Sequence, residues 1–217
     1  MLKKIVKSVV GLLPVEPQRR IRMAYSAYND RMALKKWEAS GRPAPPPDPI
    51  KHRILAGYQK QYGCTILVET GTYLGNTIWA LKDIFARLYS IELSQELWKN
   101  AVKRFADFPH ITMIQGDSGK VLYDVVPTLQ ERTLFWLDGH YSWGITAQGE
   151  KNCPIYEELD AIFKHNDLHH VMLIDDARLF NGTGDYPTID ELRSYVHRVN
   201  PQYQMNIQDD IIRLAIS

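Results

Sequence analysis

Two cysteines in 217 residues, Cys64 and Cys153, stand 89 positions apart with no CxxC pair. That scarcity excludes a disulfide scaffold and a cysteine-based zinc site, and it points to a reducing, cytoplasmic setting. Charge of one sign is lacking too. Lys plus Arg number 26 against 25 Asp plus Glu, a formal net charge of +1, so no nucleic-acid partner is expected from a basic surface. Glycine and proline, 13 and 12 residues, are too few for a collagen-like or low-complexity chain. No internal repeat is visible. What is present is 45% hydrophobic residues in a length that suits one α/β domain with additions.

The balanced charge hides an asymmetry. Residues 1–50 carry ten basic and four acidic side chains, whereas residues 51–217 carry sixteen and twenty-one. The chain is therefore divided into a basic helical segment with a linker, 1–50, and a main domain, 51–217. In residues 1–14, Leu2, Ile5, Val6, Val9, Leu12 and Leu13 recur at helical spacing, with Lys3, Lys4 and Lys7 on the other side. The apolar run is shorter than the ~20 residues of a membrane span, and no small-x-small cleavage site precedes Pro14. Two roles remain for it: peripheral contact with an anionic inner membrane face, or packing on the domain or on a second subunit of a homo-oligomer. Packing is the commoner use of a short amphipathic helix. Gly41 to Pro49 contains five prolines and reads as an extended spacer that cannot be helix or central strand.

From residue 51 short apolar strands alternate with helices. Strands are expected at 65–68, 88–91, 111–114, 134–137 and 171–174, and two closing strands at 203–207 and 211–216. Helices are expected at 77–86, 94–105, 118–129, 154–163 and 188–199, with Ser94 as a cap and Pro154 in a first turn. Such alternation predicts a Rossmann-like, seven-stranded, mostly parallel sheet covered on both faces, with an antiparallel C-terminal strand.

The acids then fall into a pattern. Glu69, Glu92, Asp138, Asp175 and Asp176 each follow a predicted strand, and Asp117 lies just past the third. That edge is where ligands bind in open α/β sheets. Each acid taken alone could equally cap a helix. The first strand leads into Glu69-Thr-Gly71-Thr72-Tyr73-Leu-Gly75, a turn where glycine admits positive φ and close backbone approach before a helix N-terminus. Its glycine spacing is not GxGxxG, and no Walker lysine follows. A nucleoside with an amino-acid tail is thus favoured over a pyrophosphate. Glu92 can take ribose hydroxyls, and Asp117 an exocyclic adenine amine.

These features resemble the class I S-adenosylmethionine-dependent methyltransferases: the E-T-G-T-Y-L-G turn, the I-E-L end of the second strand, the G-D-S after the third and the final antiparallel strand. The resemblance covers roughly residues 55–217. It implies that Glu69, Gly71, Thr72, Tyr73 and Gly75 line the methionine end of the cofactor, that Glu92 holds the ribose and that Asp117 and Ser118 hold the adenine, with Asp138 at the same rim.

Asp138-Gly139-His140-Tyr141 after the fourth strand and Asp175-Asp176-Ala177-Arg178 after the fifth would bring three carboxylates together, an arrangement that a cation would neutralise. Oxygen donors suit Mg²⁺ or Ca²⁺. The pattern is similar to the metal-dependent sugar O-methyltransferases of the macrocin and novobiocin type. That resemblance implies Asp138, Asp175 and Asp176 as ligands of a Mg²⁺ cofactor, and a sugar, glycan or glycosylated small molecule as substrate. His140 stands where that family often has a carboxylate; its unperturbed pKa of about 6.5 suits a general base. Tyr141 and Trp143, in the loop up to Cys153, are candidates to stack on a sugar ring. Arg178 offers a site for a substrate phosphate or carboxylate, or an ion pair with the nearby acids. His169 and His170 precede the fifth strand and read as structural. The alternatives are a nicotinamide-dependent oxidoreductase, which the missing GxGxxG disfavours, and a non-catalytic module that keeps the cofactor fold. For residues 1–14 the packing role predicts that full-length protein and a version lacking them float equally with anionic vesicles; loss of flotation on deletion would assign the segment to the membrane surface.

Overall fold

The computed structural model describes residues 15–139, 153–165 and 167–216. The basic segment 1–14, His140, Tyr141, Trp143 and the rest of loop 140–152 lie outside the described residues. The chain divides into two compact units, Met1–Lys51 and His52–Ser217. In the first, helix α1 spans Val15–Ala39. The Trp37 indole N–H donates to the Pro43 carbonyl (2.8 Å) and ties the proline-rich turn back to that helix. The expectation that residues 41–49 contain no helix fails at its end: α2 spans Asp48–Tyr62, and Pro49 lies in its first turn, where a missing N–H costs nothing. No helix among the described residues is long and apolar enough to cross a membrane.

The second unit is built on a seven-stranded sheet. Its strands are β1 Ile66–Thr70, β2 Arg87–Glu92, β3 Ile111–Gln115, β4 Thr133–Leu137, β5 Val171–Ile174, β6 Gln204–Gln208 and β7 Ile211–Ala215. Their order is β3-β2-β1-β4-β5-β7-β6. The first five are parallel, β7 runs antiparallel to β5, and β6 antiparallel to β7. The helices are α3 Asn76–Leu81, α4 Gln95–Phe105, α5 Ser118–Val125, α6 Ile155–Phe163 and α7 Ile189–Val199, with short 3₁₀ turns at Val126–Thr128 and Ala177–Leu179.

Several boundaries depart from the sequence reading for local reasons. The helix expected to Ala86 stops at Leu81, because the chain must turn for Phe85 to enter the core and for the Ala86 N–H to reach the Thr65 carbonyl (2.8 Å) at the start of β2. The helix expected to Leu129 ends at Val125 and tightens into a 3₁₀ turn, since Pro127 has no N–H to continue the α ladder. Strand β1 runs one residue past Glu69, so Glu69 lies inside the strand rather than at its end. Ser94 caps α4 by accepting from the Leu97 N–H (3.4 Å). Thr188 and Glu191 close a reciprocal capping box on α7.

Strand β4, Thr-Leu-Phe-Trp-Leu, is buried at every position, as expected of a strand covered on both faces. Its successive side chains point oppositely. Phe135 joins the cluster beneath α5, α6 and α7, whereas Trp136 joins the cluster with Leu55 of α2, Ile78 of α3 and Phe105 of α4. Because Trp136 is among the largest fully buried side chains, Trp136→Ala is expected to cost about 3–5 kcal/mol in denaturant unfolding. A loss below about 1 kcal/mol would remove β4 from the centre of the core.

Candidate functional site

Register sets the site. Thr70 pairs with Leu137 across β1 and β4, and Leu137 with Ile174 across β4 and β5. The next residue of each strand therefore emerges at the same rim. The Asp138 N–H donates to the Thr70 carbonyl (3.1 Å) and the Asp175 N–H to the Leu137 carbonyl (3.1 Å). One carboxylate oxygen each from Asp138, Asp175 and Asp176 lies within 4.8 Å of the others. Asp175 is buried, and Asp138 and Asp176 are half-buried. Three anions at this separation repel strongly unless positive charge is supplied. Part is supplied by Arg178, whose Nη1 donates to Asp176 Oδ1 (2.7 Å) and also to Asp210. Of the two roles weighed for Arg178, the ion pair with nearby acids is thus formed.

Beside these acids runs the glycine turn. Gly71 has φ +83°, and a Cβ there would lie 2.3 Å from the Asp138 carbonyl oxygen, far inside van der Waals contact. Only glycine lets the end of β1 pass this close to the end of β4. Gly75, also at positive φ, precedes α3, and a Cβ on it would press on the Phe105 ring at 2.8 Å. Tyr73 is half exposed and adopts φ +47°. Its N–H donates to Glu92 Oε2 (2.8 Å), while the Ser94 N–H donates to Glu92 Oε1 (2.8 Å). Glu92 thereby pins the turn to the end of β2, and each of its oxygens keeps a lone pair for a further donor. Asp117 caps α5, its Oδ1 accepting from the Gly119 N–H (3.0 Å). The cap role weighed for this acid is real, and Oδ2 remains for another partner. Ser118 is the first residue of α5 and is buried.

Glu69 and Thr72 sit deeper than expected. Ser90 Oγ donates to Glu69 Oε2 (2.5 Å) and lies 2.6 Å from Thr72 Oγ1. Thr72 thus turns its hydroxyl into the protein, and Glu69 braces the end of β2 through Ser90. Burial pushes the Glu69 carboxyl up to about 8, with Ser90 and Thr77 pulling the other way and Glu92 adding to the rise.

A second buried acid escaped the sequence reading. Glu158, on α6, is fully buried, and among the described residues neither carboxylate oxygen closes a hydrogen bond of ordinary geometry; nor does the nearby Thr70 hydroxyl. Burial raises it to about 7 against the opposing pull of Ser118 and Thr70. It stands at the bend after β4, where a Cβ on Gly139 would meet Thr70 Oγ1 at 3.0 Å, Ser118 Oγ at 3.1 Å and Glu158 Oε1 at 3.2 Å. A sequence signal existed: Glu158 lies on the same helical face as Ile155, Leu159 and Ile162, all buried. Ser90, a polar residue inside an apolar strand, gave a similar signal. His170 is structural, as expected. It is buried, its Nδ1 accepts from the Thr133 N–H (3.2 Å), and burial lowers its pKa to about 4.

No family model matches the sequence, and no curated protein does. Solved structures do match in fold. An O-methyltransferase from Bacillus cereus in complex with SAH is 15% identical with a TM-score of 0.56, over 86% of this chain and 90% of that one. The O-methyltransferase TomG from Streptomyces achromogenes, involved in tomaymycin synthesis and in complex with SAM, is 14% identical with a TM-score of 0.55, over 87% and 89%. A putative caffeoyl-CoA O-methyltransferase from Staphylococcus aureus is 12% identical with a TM-score of 0.53, over 90% and 98%. The chain therefore has the Rossmann-like sheet of these methyltransferases.

The buried acids give a signed pH dependence. Both Glu69 and Glu158 hold protons more tightly folded than unfolded, so their contribution is full below about 4.5 and is lost as pH rises through about 7 to 8. His170, lowered from 6.5 to about 4, acts oppositely but only below 6.5. The melting temperature is expected to fall from pH 6.5 to about 8.5, less steeply in Glu158→Gln. A flat or rising profile over that range would contradict the burial of these carboxyls in ionisable form.

Proposed function

We propose that the protein is an S-adenosylmethionine-dependent O-methyltransferase, assisted by a divalent cation, that methylates a hydroxyl of a sugar, glycan or glycosylated small molecule. The observation that carries this reading is the convergence of Asp138, Asp175 and Asp176 beside the Gly71 turn, on a sheet of the fold shared with SAM- and SAH-bound O-methyltransferases. The inserted antiparallel β7 also separates this sheet from the all-parallel dinucleotide-binding order, which disfavours the oxidoreductase alternative.

In this reading the chain's own groups bind and align. Gly71 keeps the end of β1 against the end of β4, and the turn it forms with Gly75 is assigned to the methionine end of the cofactor. Glu92 accepts from the ribose hydroxyls through lone pairs left by Tyr73 and Ser94, and Asp117 Oδ2 accepts from the adenine amine beside Ser118. Asp138, Asp175 and Asp176 would hold Mg²⁺ or a similar ion; the donor set fits, being all oxygen, strongly anionic and gathered from two adjacent strand ends. Such an ion, when bound, would supply the Lewis acidity that lowers the pKa of an acceptor hydroxyl. His140, next to Gly139 in sequence, takes the proton from that hydroxyl. S-adenosylmethionine, when bound, would supply the sulfonium methyl to the acceptor oxygen. The O–CH₃ bond would form as the S–CH₃ bond breaks, and most of the acceleration would come from alignment. Tyr141 and Trp143 are assigned to stacking on the acceptor ring.

Calorimetry is expected to show S-adenosylmethionine binding to the wild type and none to Gly71→Ala. Methyl transfer to a panel of glycans should vanish in EDTA and fall at least a hundredfold in Asp175→Asn. Full transfer in chelator would remove the cation and leave the methyltransferase reading, whereas absence of cofactor binding would remove both.

A further inference from the structure

The turn joining β6 to β7 reaches Asp176 and Arg178 from 34 and 32 positions further along the chain. Its Asp210 has φ +61° and a side chain only 3% exposed. The Asp210 carbonyl accepts from the Ala177 N–H (2.8 Å), and its Oδ1 accepts from the Arg178 N–H (2.8 Å). Its Oδ2 accepts from Arg178 Nη1, the same nitrogen that donates to Asp176 Oδ1 at 2.7 Å. Asp176 is itself held at φ +54°, a conformation that a non-glycine residue keeps only when its surroundings impose it. One guanidinium is thus divided between two carboxylates, one in the proposed cation site and one behind it.

We infer that Asp210 is a positioning residue: it fixes the 3₁₀ turn that follows Asp176 and, by sharing Arg178, leaves charge on Asp176 for a divalent cation. The inference rests on the cation reading above. A guanidinium neutralises a single partner more fully than it neutralises two. Removing the charge of Asp210 while keeping its shape would leave the Arg178 charge to neutralise Asp176 alone, and the cation would lose part of its attraction. Asparagine is the suitable replacement. It keeps an acceptor for the Arg178 N–H, and it tolerates positive φ.

The test is Mn²⁺ titration calorimetry on the full chain, in wild type, Asp210→Asn, Arg178→Met and the double variant, with melting temperatures for each. Asp210→Asn is expected to weaken Mn²⁺ about tenfold, the usual scale for a residue that supports metal ligands, with a melting temperature within about 2 °C of wild type. Arg178→Met should bind at least as tightly as wild type, and adding Asp210→Asn to it should change nothing more. Equal affinity in Asp210→Asn and wild type would overturn the inference alone. An equal loss in the Arg178→Met background would also overturn it, since the effect would not then pass through Arg178. Failure of the wild type to bind Mn²⁺ would overturn both the cation reading and this inference.

Discussion

The parallel register of β1, β4 and β5 is the constraint on which the rest depends. Because Thr70, Leu137 and Ile174 lie side by side, the residues that follow them cannot avoid one another. Backbone hydrogen bonds hold them there: Asp138 to Thr70, Asp175 to Leu137. A carboxylate cluster on flexible loops would spread to relieve its repulsion. Here the strand ladder prevents that, and the buried sheet beneath it supplies the rigidity. Gly71 belongs to the same constraint, since a side chain there would collide with the Asp138 carbonyl and separate the two strand ends.

Polar groups under the rim add to the cost of this arrangement. Glu69 and Glu158 are both fully buried and both hold their protons more tightly than usual. Burying such groups is unfavourable without good partners, and among the described residues only the Ser118 and Thr70 hydroxyls offset the burial of Glu158. Local sequence rules are broken at functional places in a fold and satisfied elsewhere. The capping box on α7 and the fully apolar β4 show the satisfied side. Around Gly139, Thr70, Ser118 and Glu158 the rules are broken, where β1, β4 and two helix starts meet.

Much of the fold was legible because its signals are local. Short apolar strands separated by helices fixed the parallel sheet, and the turn at Asp209-Asp210 fixed the closing hairpin. The ends of elements were less so: α3 stops early for Phe85, and α5 yields to Pro127. The site was legible as a list of strand-end acids, and the structure brings Asp138, Asp175 and Asp176 together. What could not be read was depth and partnership. Glu69 and Thr72 face inward to Ser90, and Asp210, one of the two partners of Arg178, comes from a turn 32 residues away. Such pairings arise from tertiary packing and leave no trace in spacing. Glu158 did leave one, as a charge on an otherwise apolar helix face.

The most direct test is a crystal structure of the protein soaked with S-adenosylhomocysteine and Mn²⁺, read by anomalous scattering. The account predicts a single manganese peak touching Asp138, Asp175 and Asp176, with the nucleoside in the crevice beside Gly71 and its ribose on Glu92. A nucleoside bound elsewhere, or carboxylates that hold no manganese while the crevice is filled, would contradict it.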